Sequence, residues 1–214
     1  MRTGPPPAVG EGNGMNLYLV RHGETQANCD GVYCGSSDLA LTQNGRWQAQ
    51  RVAWQLAEVP FDRILTSQLR RTRETAAFVR PDCQPEGQPA WNEMSFGEWE
   101  LRHHRDLRQD DPKRYQAWVD DWQHTPPPGG ESFTDFSRRV IDATRNLIRD
   151  ERPGNTLLVA HQGVLSVMLA TLLGLPATAM WHFAFRQDAY AQLTLTEGFC
   201  VVNRLNDSGR KTDR

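Results

Sequence analysis

Three short polar strings carry residue types that can bind and attack an anionic group. They are RHGET at residues 21–25, followed by Asn28, then SQLRR at 67–71, and HQG at 161–163. Arginine presents a planar fork of N–H donors that suits phosphate or carboxylate oxygens. A neutral histidine ring offers a nitrogen lone pair that can act as a nucleophile or accept a proton. These residue types together favour an anion-binding site with a reactive histidine.

Each string directly follows an apolar run that is typical of a buried strand. The runs are NLYLV at 16–20, FDRILT at 61–66 and TLLVA at 156–160. Because ligand sites of open α/β sheets lie at the carboxyl ends of strands, we expect His22, Arg71 and His161 to converge on one edge. Taken singly, they have ordinary structural explanations: a hydrogen-bonded core histidine, a solvated helix charge and a helix cap. The convergence of three strand ends favours the functional explanation.

Helical patterns alternate with these runs and predict an α/β fold. Thr42 is the expected N-cap of a helix, and Ser132 with Asp135 resembles a capping box that opens a long amphipathic helix. Further helices are predicted at 68–79, 104–109, 112–122 and 164–173, with an aromatic loop and a short strand at 91–99. A hairpin is predicted from 189–196 and 199–205, with Gly198 in its turn. The apolar side of the helix after Thr42 consists of Trp47, Ala49, Val52, Ala53 and Leu56.

The charge balance excludes several classes of protein. The 214 residues include 24 Lys and Arg against 26 Asp and Glu, a formal charge of −2, which argues against a basic surface that coats nucleic acid. Only Lys113 and Lys211 are lysines, so nearly all the positive charge is arginine. No stretch approaches the roughly 18 apolar residues of a spanning helix. We therefore expect neither a nucleic-acid partner nor a membrane partner.

The length favours one domain, predicted at 15–206. Residues 1–14 are rich in Gly and Pro and lack the apolar run of a secretory signal, so they are predicted to be a disordered extension with Met15 as the natural start. Residues 207–214 are predicted to be a disordered tail. The four cysteines are too few and too scattered for a secreted disulfide scaffold of this size. None of them forms a CxxC pair. A cytoplasmic location follows by default.

The three strings, in this order and placement, resemble the histidine phosphatase superfamily, which has the phosphoglycerate mutase-like fold. The resemblance extends from Met15 to about Leu205 and depends mainly on RHGETxxN after an apolar strand. It implies a three-layer α/β/α sandwich with a mostly parallel central sheet. It also implies a metal-independent phosphomonoesterase that forms a phosphohistidine intermediate, requires no cofactor and acts on a small-molecule phosphomonoester.

The resemblance implies a role for each matching residue. His22 is the expected nucleophile, and its other ring nitrogen should then donate to a backbone carbonyl. Arg21 and Arg71 would bind the phosphoryl oxygens, while His161 and Asn28 would each add a hydrogen bond. The backbone N–H of Gln162, at the start of a helix, is a further anion donor.

A general acid is also needed to protonate the leaving oxygen. Glu93 matches the family's acid position, which precedes a phenylalanine–glycine pair, and aromatic surroundings would raise the pKa of its carboxyl group. An ordinary loop carboxylate is the alternative explanation. Glu98 is the alternative acid, and Glu24 is expected to be structural or peripheral.

The stretch before Pro126 normally sets the substrate in this family. Here it contains FGEWELRHHRDL at 96–107 and then Trp118 and Trp122, and PGGESF follows at 128–133. This combination, with the Trp-His-Phe string at 181–183, looks like the α-ribazole phosphatases of cobalamin synthesis. These enzymes remove the 5′-phosphate of α-ribazole phosphate or of a later cobalamin phosphate. By that analogy the aromatic residues would face the benzimidazole or the corrin edge. The residues predicted to flank the substrate mouth are Arg102, His103, His104 and Arg105.

Other hypotheses remain open at this point. The RHHR string is equally typical of a solvated loop, and a metal site that adds His124 or Glu100 is disfavoured because adjacent histidines on a short helix point in different directions. A mutase or a broad sugar-phosphate phosphatase is the alternative activity. A mutase is less favoured, since no long insertion is visible that would exclude water. A non-catalytic module that binds phosphorylated ligands is the alternative of another class, and a homodimer is left open.

Overall fold

Apolar strands at the centre of the sheet position the three polar strings. A computed structural model describes residues 14–150 and 152–209, so the predicted extension at 1–14 and the end of the predicted tail lie almost wholly outside the described residues. The strands are β1 (Met15–Arg21), β2 (Arg63–Thr66), β3 (Glu86–Gly87), β4 (Gly154–Ala160), β5 (Tyr190–Thr196) and β6 (Phe199–Asp207). They form one sheet in the order β3-β2-β4-β1-β5-β6.

The central sheet is mostly parallel, as predicted. Strand β4 pairs in parallel with both β1 and β2, and β2 pairs in parallel with β3. The terminal hairpin adds β5 antiparallel to β1 and β6 antiparallel to β5. Because β1, β2 and β4 run in the same direction side by side, their carboxyl ends lie at one edge.

The helices in the described residues are α1 (Gln26–Asp30), α2 (Gln43–Gln55), α3 (Arg70–Val79), α4 (His104–Asp110), α5 (Pro112–Asp120), α6 (Phe133–Arg149) and α7 (Gln162–Leu172). Helices α2 and α3 cover one face of the sheet and α6 and α7 the other, whereas α4 and α5 pack in a separate cluster with Trp99. On β1, Leu17 and Leu19 join the core with α6 and α7, whereas Tyr18 and Val20 join the core with α2 and α3. This alternation of side chains along a strand buried on both faces confirms the three-layer sandwich.

Several predicted boundaries need correction. The aromatic loop at 91–99 contains no strand: it holds two 3₁₀ turns, Pro89–Trp91 and Gly97–Trp99, and the short strand β3 precedes them. Helix α3 begins at Arg70 rather than residue 68, because Leu69 has extended backbone angles (φ −80°, ψ 141°) and is the N-cap. Helix α7 begins two residues earlier than predicted, directly after His161. Strand β6 runs through Asp207, one residue into the predicted tail.

The two predicted N-caps, Thr42 and Ser132, are present. Thr42 Oγ1 accepts the N–H of Gly45 at the start of α2, and Ser132 Oγ accepts the N–H of Asp135 at the start of α6. Asp135 accepts the Ser132 hydroxyl in return.

Trp47 was predicted on the apolar side of α2, but it is 63 % exposed. Its position in the helical period therefore lies outside the buried face.

No helix in the described part of the chain is both long and apolar enough to cross a membrane.

Candidate active site

His22 lies directly beyond β1 and is held in one tautomer. Its backbone N–H donates to Ala160 O at 3.0 Å, which extends the pairing of β1 with β4 by one residue. Its Nδ1 lies 2.7 Å from Gly23 O. A carbonyl oxygen can only accept, so Nδ1 carries the proton and Nε2 carries the lone pair. Burial, followed by the charge of Arg71, lowers the pKa of His22 well below its ordinary value. The ring is therefore neutral at neutral pH.

His161 follows β4 and lies beside His22, with the two ring centroids 5.1 Å apart. Its Nδ1 accepts from Arg71 Nε at 3.2 Å, and its Nε2 lies 2.9 Å from Ser67 Oγ. Since a guanidinium can only donate, Nδ1 carries the lone pair and Nε2 donates to the serine. Both nitrogens are thus engaged. A hydrogen bond from His161 to a phosphoryl oxygen would require one of these contacts to be exchanged.

Arg71 is buried in the first turn of α3, with 1 % of its surface exposed, so it is not a solvated helix charge. Besides His161, its guanidinium donates to Ser37 O at 2.7 Å and to Gly35 O at 2.8 Å. Three structural elements therefore converge on this group: α3, the end of β4 and the loop that contains residues 35–37.

Arg21, the last residue of β1, has an N–H donor that makes no hydrogen bond within the described residues. One of its terminal nitrogens, Nη1, donates to Phe185 O at 3.1 Å. Its Nε is buried and has no hydrogen-bond partner among the described residues. A buried donor without a partner is costly and calls for an explanation. A bound anion would supply the missing acceptor.

Glu93 lies between the two 3₁₀ turns, and its side chain contacts the start of α7. Its carboxylate accepts the N–H of Gly163 at 3.0 Å and the N–H of Met94 at 3.1 Å. Burial raises the pKa of Glu93, and these two hydrogen bonds only partly oppose that effect. Gly163 permits the approach, since a Cβ there would lie 2.5 Å from Glu93 Oε1.

The two remaining residues predicted to bind phosphate each lie in a helix: Asn28 in the short helix α1 and Gln162 at the start of α7. Asn28 Oδ1 accepts from the N–H and hydroxyl of Thr25 and from Gln187 Nε2. The side-chain N–H groups of Asn28 therefore remain for another acceptor. Gln162 is the first residue of α7, where a backbone N–H has no acceptor within the helix. Its side chain is committed elsewhere, to Ser166, Phe183 and Phe185.

Two other glutamates have their own partners. Glu98 is exposed, and it pairs with Arg114 at 3.2 Å. Glu24 accepts from Thr42 Oγ1 and Asn44 Nδ2 at the start of α2. The hydrogen bond from Thr42 is the main reason that the pKa of Glu24 is lowered. The structure thus brings Glu93 alone of these three carboxylates to the start of α7.

The four residues predicted at the substrate mouth cluster around α4. Arg102 pairs with Asp110, and His103 caps α4 by accepting the N–H of Arg105 at 3.1 Å. The rings of His103 and His104 lie 4.2 Å apart. None of the four lines the apolar cavity described next.

An apolar cavity of about 220 Å³ adjoins Glu93 and Gln162. Trp122 and Trp181 pack edge to face with ring centroids 5.5 Å apart, and Tyr33 stacks on Phe96 at 4.7 Å. The three tryptophans and strings that contain Phe96 and Phe133 were singled out from the sequence, but Tyr33, which is distant from them along the chain, was not. The aromatic part of its wall consists of Tyr33, Phe96, Trp118, Trp122, Phe133, Phe136 and Trp181.

Within residues 14–150 and 152–209, no group of three or more His, Cys, Asp and Glu side chains is arranged to hold a metal ion. His124 contacts Asp121, and Glu100 accepts hydrogen bonds from the loop at 35–37 instead.

Comparison with known proteins identifies similar sequences and structures. The chain is 46 % identical over 194 residues to an adenosylcobalamin/α-ribazole phosphatase of Escherichia coli, covering 90 % of this chain and 96 % of that protein. It is 34 % identical over 184 residues to a probable phosphoglycerate mutase of Erwinia tasmaniensis, covering 84 % of each. The crystal structure of a putative α-ribazole-5′-P phosphatase from Escherichia coli matches with a TM-score of 0.88 at 45 % identity, covering 92 % of this chain and 98 % of that one.

The model of the histidine phosphatase superfamily (branch 1) matches residues 17–208. That range contains nearly the whole sheet and all three strand ends of the site. The chain belongs to the histidine phosphatase superfamily.

Proposed function

We propose that this chain is a phosphomonoesterase that acts through a phosphohistidine on His22 and removes the 5′-phosphate of α-ribazole 5′-phosphate or adenosylcobalamin 5′-phosphate. The observation that carries the proposal is the state of His22. Its Nδ1–H donates to Gly23 O, so Nε2 carries the lone pair, and the charges of Arg71 and Arg21 both act on the ring. A neutral, oriented imidazole is what an attack on phosphorus requires.

The first half-reaction transfers the phosphoryl group to the protein. His22 Nε2 forms a bond to phosphorus as the bond between phosphorus and the ester oxygen breaks. Glu93 gives its proton to the leaving oxygen, so the alcohol departs neutral. Arg21 and Arg71 stabilise the charge on the phosphoryl oxygens, the main contribution that a protein makes to phosphoryl transfer.

The second half-reaction restores the free protein. The Glu93 carboxylate takes a proton from water while the water oxygen attacks phosphorus. The bond between Nε2 and phosphorus breaks, inorganic phosphate leaves, and Glu93 again holds a proton. No metal takes part in either step of this proposal.

The apolar cavity beside Glu93 supports a substrate with a flat apolar base. An aromatic ring that enters the cavity can pack edge to face or offset against Trp122 and Trp181. A sugar phosphate or 3-phosphoglycerate would bring hydroxyl or carboxylate groups to an apolar wall, where they would lose hydration. The relatives named for α-ribazole and adenosylcobalamin favour the same substrate class.

Two experiments test this proposal. Turnover should trap acid-labile, base-stable phosphate on His22, and His22→Ala should abolish phosphate release from p-nitrophenyl phosphate. Undiminished activity in His22→Ala would refute the mechanism, and a wild-type protein without phosphatase activity would point to a binding module.

The substrate is tested separately. We expect kcat/KM for α-ribazole 5′-phosphate to exceed the values for glucose 6-phosphate and 3-phosphoglycerate in the presence of EDTA. Equal values would favour a broad-specificity phosphatase, and isomerisation of 3-phosphoglycerate would favour a mutase.

A further inference from the structure

The loop at residues 35–37 lies between two charged side chains that do not touch each other. On one side is Glu100, which follows the second 3₁₀ turn, and on the other is Arg71 at the start of α3. Both contact the backbone of the loop, one through its N–H groups and the other through its carbonyl groups.

Among the described residues, four backbone N–H groups and one hydroxyl donate hydrogen bonds to the Glu100 carboxylate. Its carboxylate accepts the backbone N–H groups of Gly35 (3.0 Å), Ser36 (2.9 Å) and Ser37 (3.1 Å). It also accepts the Ser37 hydroxyl at 2.6 Å and the N–H of Phe96 at 2.9 Å. Successive N–H groups that point the same way form an anion-binding concavity. Here the protein's own carboxylate fills it.

The opposite side of the same loop faces Arg71. Gly35 O and the Ser36 N–H belong to one peptide group, and in a trans peptide these two atoms point in opposite directions. That peptide group donates to Glu100 and accepts from Arg71 Nη2 at 2.8 Å. Ser37 is bound in a similar way, through its N–H and hydroxyl to Glu100 and through its carbonyl to Arg71 Nη1. The loop is thus clamped from both sides.

We propose that Glu100 is a positioning residue for the phosphoryl-transfer reaction, because it orients the Gly35 and Ser37 carbonyls that hold the Arg71 guanidinium. The inference depends on the proposed function through the role of Arg71 in binding the phosphoryl group. Glu100 itself touches neither His22 nor Glu93. Without its carboxylate, the loop peptides are free to turn, and Arg71 loses two of its three acceptors.

Glu100→Gln tests the proposal at constant side-chain size. It replaces one acceptor oxygen with an NH₂ group that faces the loop's own donors, so the clamp opens. We expect kcat/KM for p-nitrophenyl phosphate to fall roughly 10- to 100-fold, the range expected when a charge-stabilising group is misplaced by about 1 Å. The inhibition constant for inorganic phosphate should rise in parallel. The matched control is Glu98→Gln, an exposed carboxylate two residues away that pairs with Arg114, and it should leave both values unchanged.

A double-mutant cycle separates positioning from a purely structural role. In an Arg71→Ala background, Glu100→Gln should have almost no further effect on kcat/KM, because the group it positions is absent. The same loss in both backgrounds, or activity within twofold of wild type in Glu100→Gln alone, would overturn the proposal. If Glu100→Gln does not fold, Ser37→Ala, which removes only the 2.6 Å hydroxyl contact, should show a smaller loss with the same dependence on Arg71. Unchanged activity in Arg71→Ala would refute the proposed function instead.

Discussion

Gly163 offers a test of the general acid that removes no polar group from the site. Its Cα faces the Glu93 carboxylate, and an added Cβ would lie 2.5 Å from Oε1 and 3.2 Å from Oε2. Ordinary contacts begin at 3.4 Å, so Gly163→Ala must displace the nearer oxygen by about 0.9 Å. A misplacement of about 1 Å in a catalytic group can cost on the order of 10²-fold in rate, which corresponds to about 2.7 kcal/mol of activation free energy.

The folded state should tolerate this change. The clash is with the end of a flexible side chain, and alanine is more favourable than glycine within a helix by about 0.5–1 kcal/mol. Weakening of the hydrogen bond from the Gly163 N–H to Glu93 costs about 1 kcal/mol, so the two effects nearly cancel. We therefore expect a Tm close to that of the wild type. The matched control is Gly87→Ala, whose Cβ would meet nothing closer than 3.7 Å.

The assay compares two leaving groups. p-Nitrophenolate departs without protonation, whereas the ribose 5′-alkoxide of α-ribazole 5′-phosphate needs a proton from Glu93. We expect Gly163→Ala to lower kcat/KM, which reports the first half-reaction alone, about 100-fold for the alkyl phosphate, in line with the displacement of about 0.9 Å, and much less for the aryl phosphate. Equal losses on both substrates, or a change of less than threefold on the alkyl phosphate, would refute the assignment of Glu93 as the acid.

Three further predictions concern the acid, the cavity and the fold. Burial raises the pKa of Glu93, so kcat/KM for an alkyl phosphate should fall as pH rises through that pKa; Glu93→Gln should be much slower and should lose this alkaline limb, and a retained limb would contradict the assignment. Trp181→Ala, which removes the edge-to-face contact with Trp122, should weaken binding by about 1 kcal/mol, roughly fivefold in KM for α-ribazole 5′-phosphate, while KM for β-glycerophosphate stays constant. Ser132→Ala, which removes the N-cap of α6, should cost about 1 kcal/mol and lower Tm by roughly 2–4 °C, measured by thermal unfolding with kcat as the control; an unchanged Tm would show that the cap adds nothing.

The placement of polar side chains beyond the strand ends could be predicted from sequence because each part of the pattern is local. An apolar run followed at once by a polar string defines a strand and the side chains at its end. Parallel strands then bring those ends together without any knowledge of loop structure. His22, Arg71 and His161 were found in this way.

The residues that support these side chains could not be predicted, because the contacts join segments far apart in the chain. Glu100 reaches the loop at residues 35–37 through turns whose backbone geometry no pattern specifies. The hydrogen bond from His161 to Ser67 spans 94 positions. Helical periodicity failed for a related reason at Trp47, since the period identifies a face of the helix but not how far the core extends around it.

The aromatic residues of the substrate cavity could be predicted only in part. Trp118, Trp122 and Trp181 could be noticed because tryptophans in polar segments are conspicuous. Tyr33 could not, since it looks like an ordinary core residue in its own segment, whereas Phe133 lies in the PGGESF string that contributed to the substrate prediction. What joins them is the packing of α5, α6 and the 3₁₀ turn Ala177–His182 around the aromatic loop.

The proposed reaction needs a combination of protonation states that isolated side chains cannot provide. The first half-reaction requires neutral His22 together with protonated Glu93. With ordinary pKa values, about 6.5 for histidine and 4.3 for glutamate, the first condition holds above pH 6.5 and the second below pH 4.3, so no pH satisfies both. Burial lowers the pKa of His22 and raises that of Glu93, since it disfavours the charged form of each. Both shifts bring the two conditions closer together. Arg71 and Arg21 add to the shift on His22 and oppose the one on Glu93. A phosphate dianion bound to these arginines offsets their charge, so substrate binding favours the protonated acid. The same offset raises the pKa of His22, and burial, the largest cause of the shift on His22, opposes that rise.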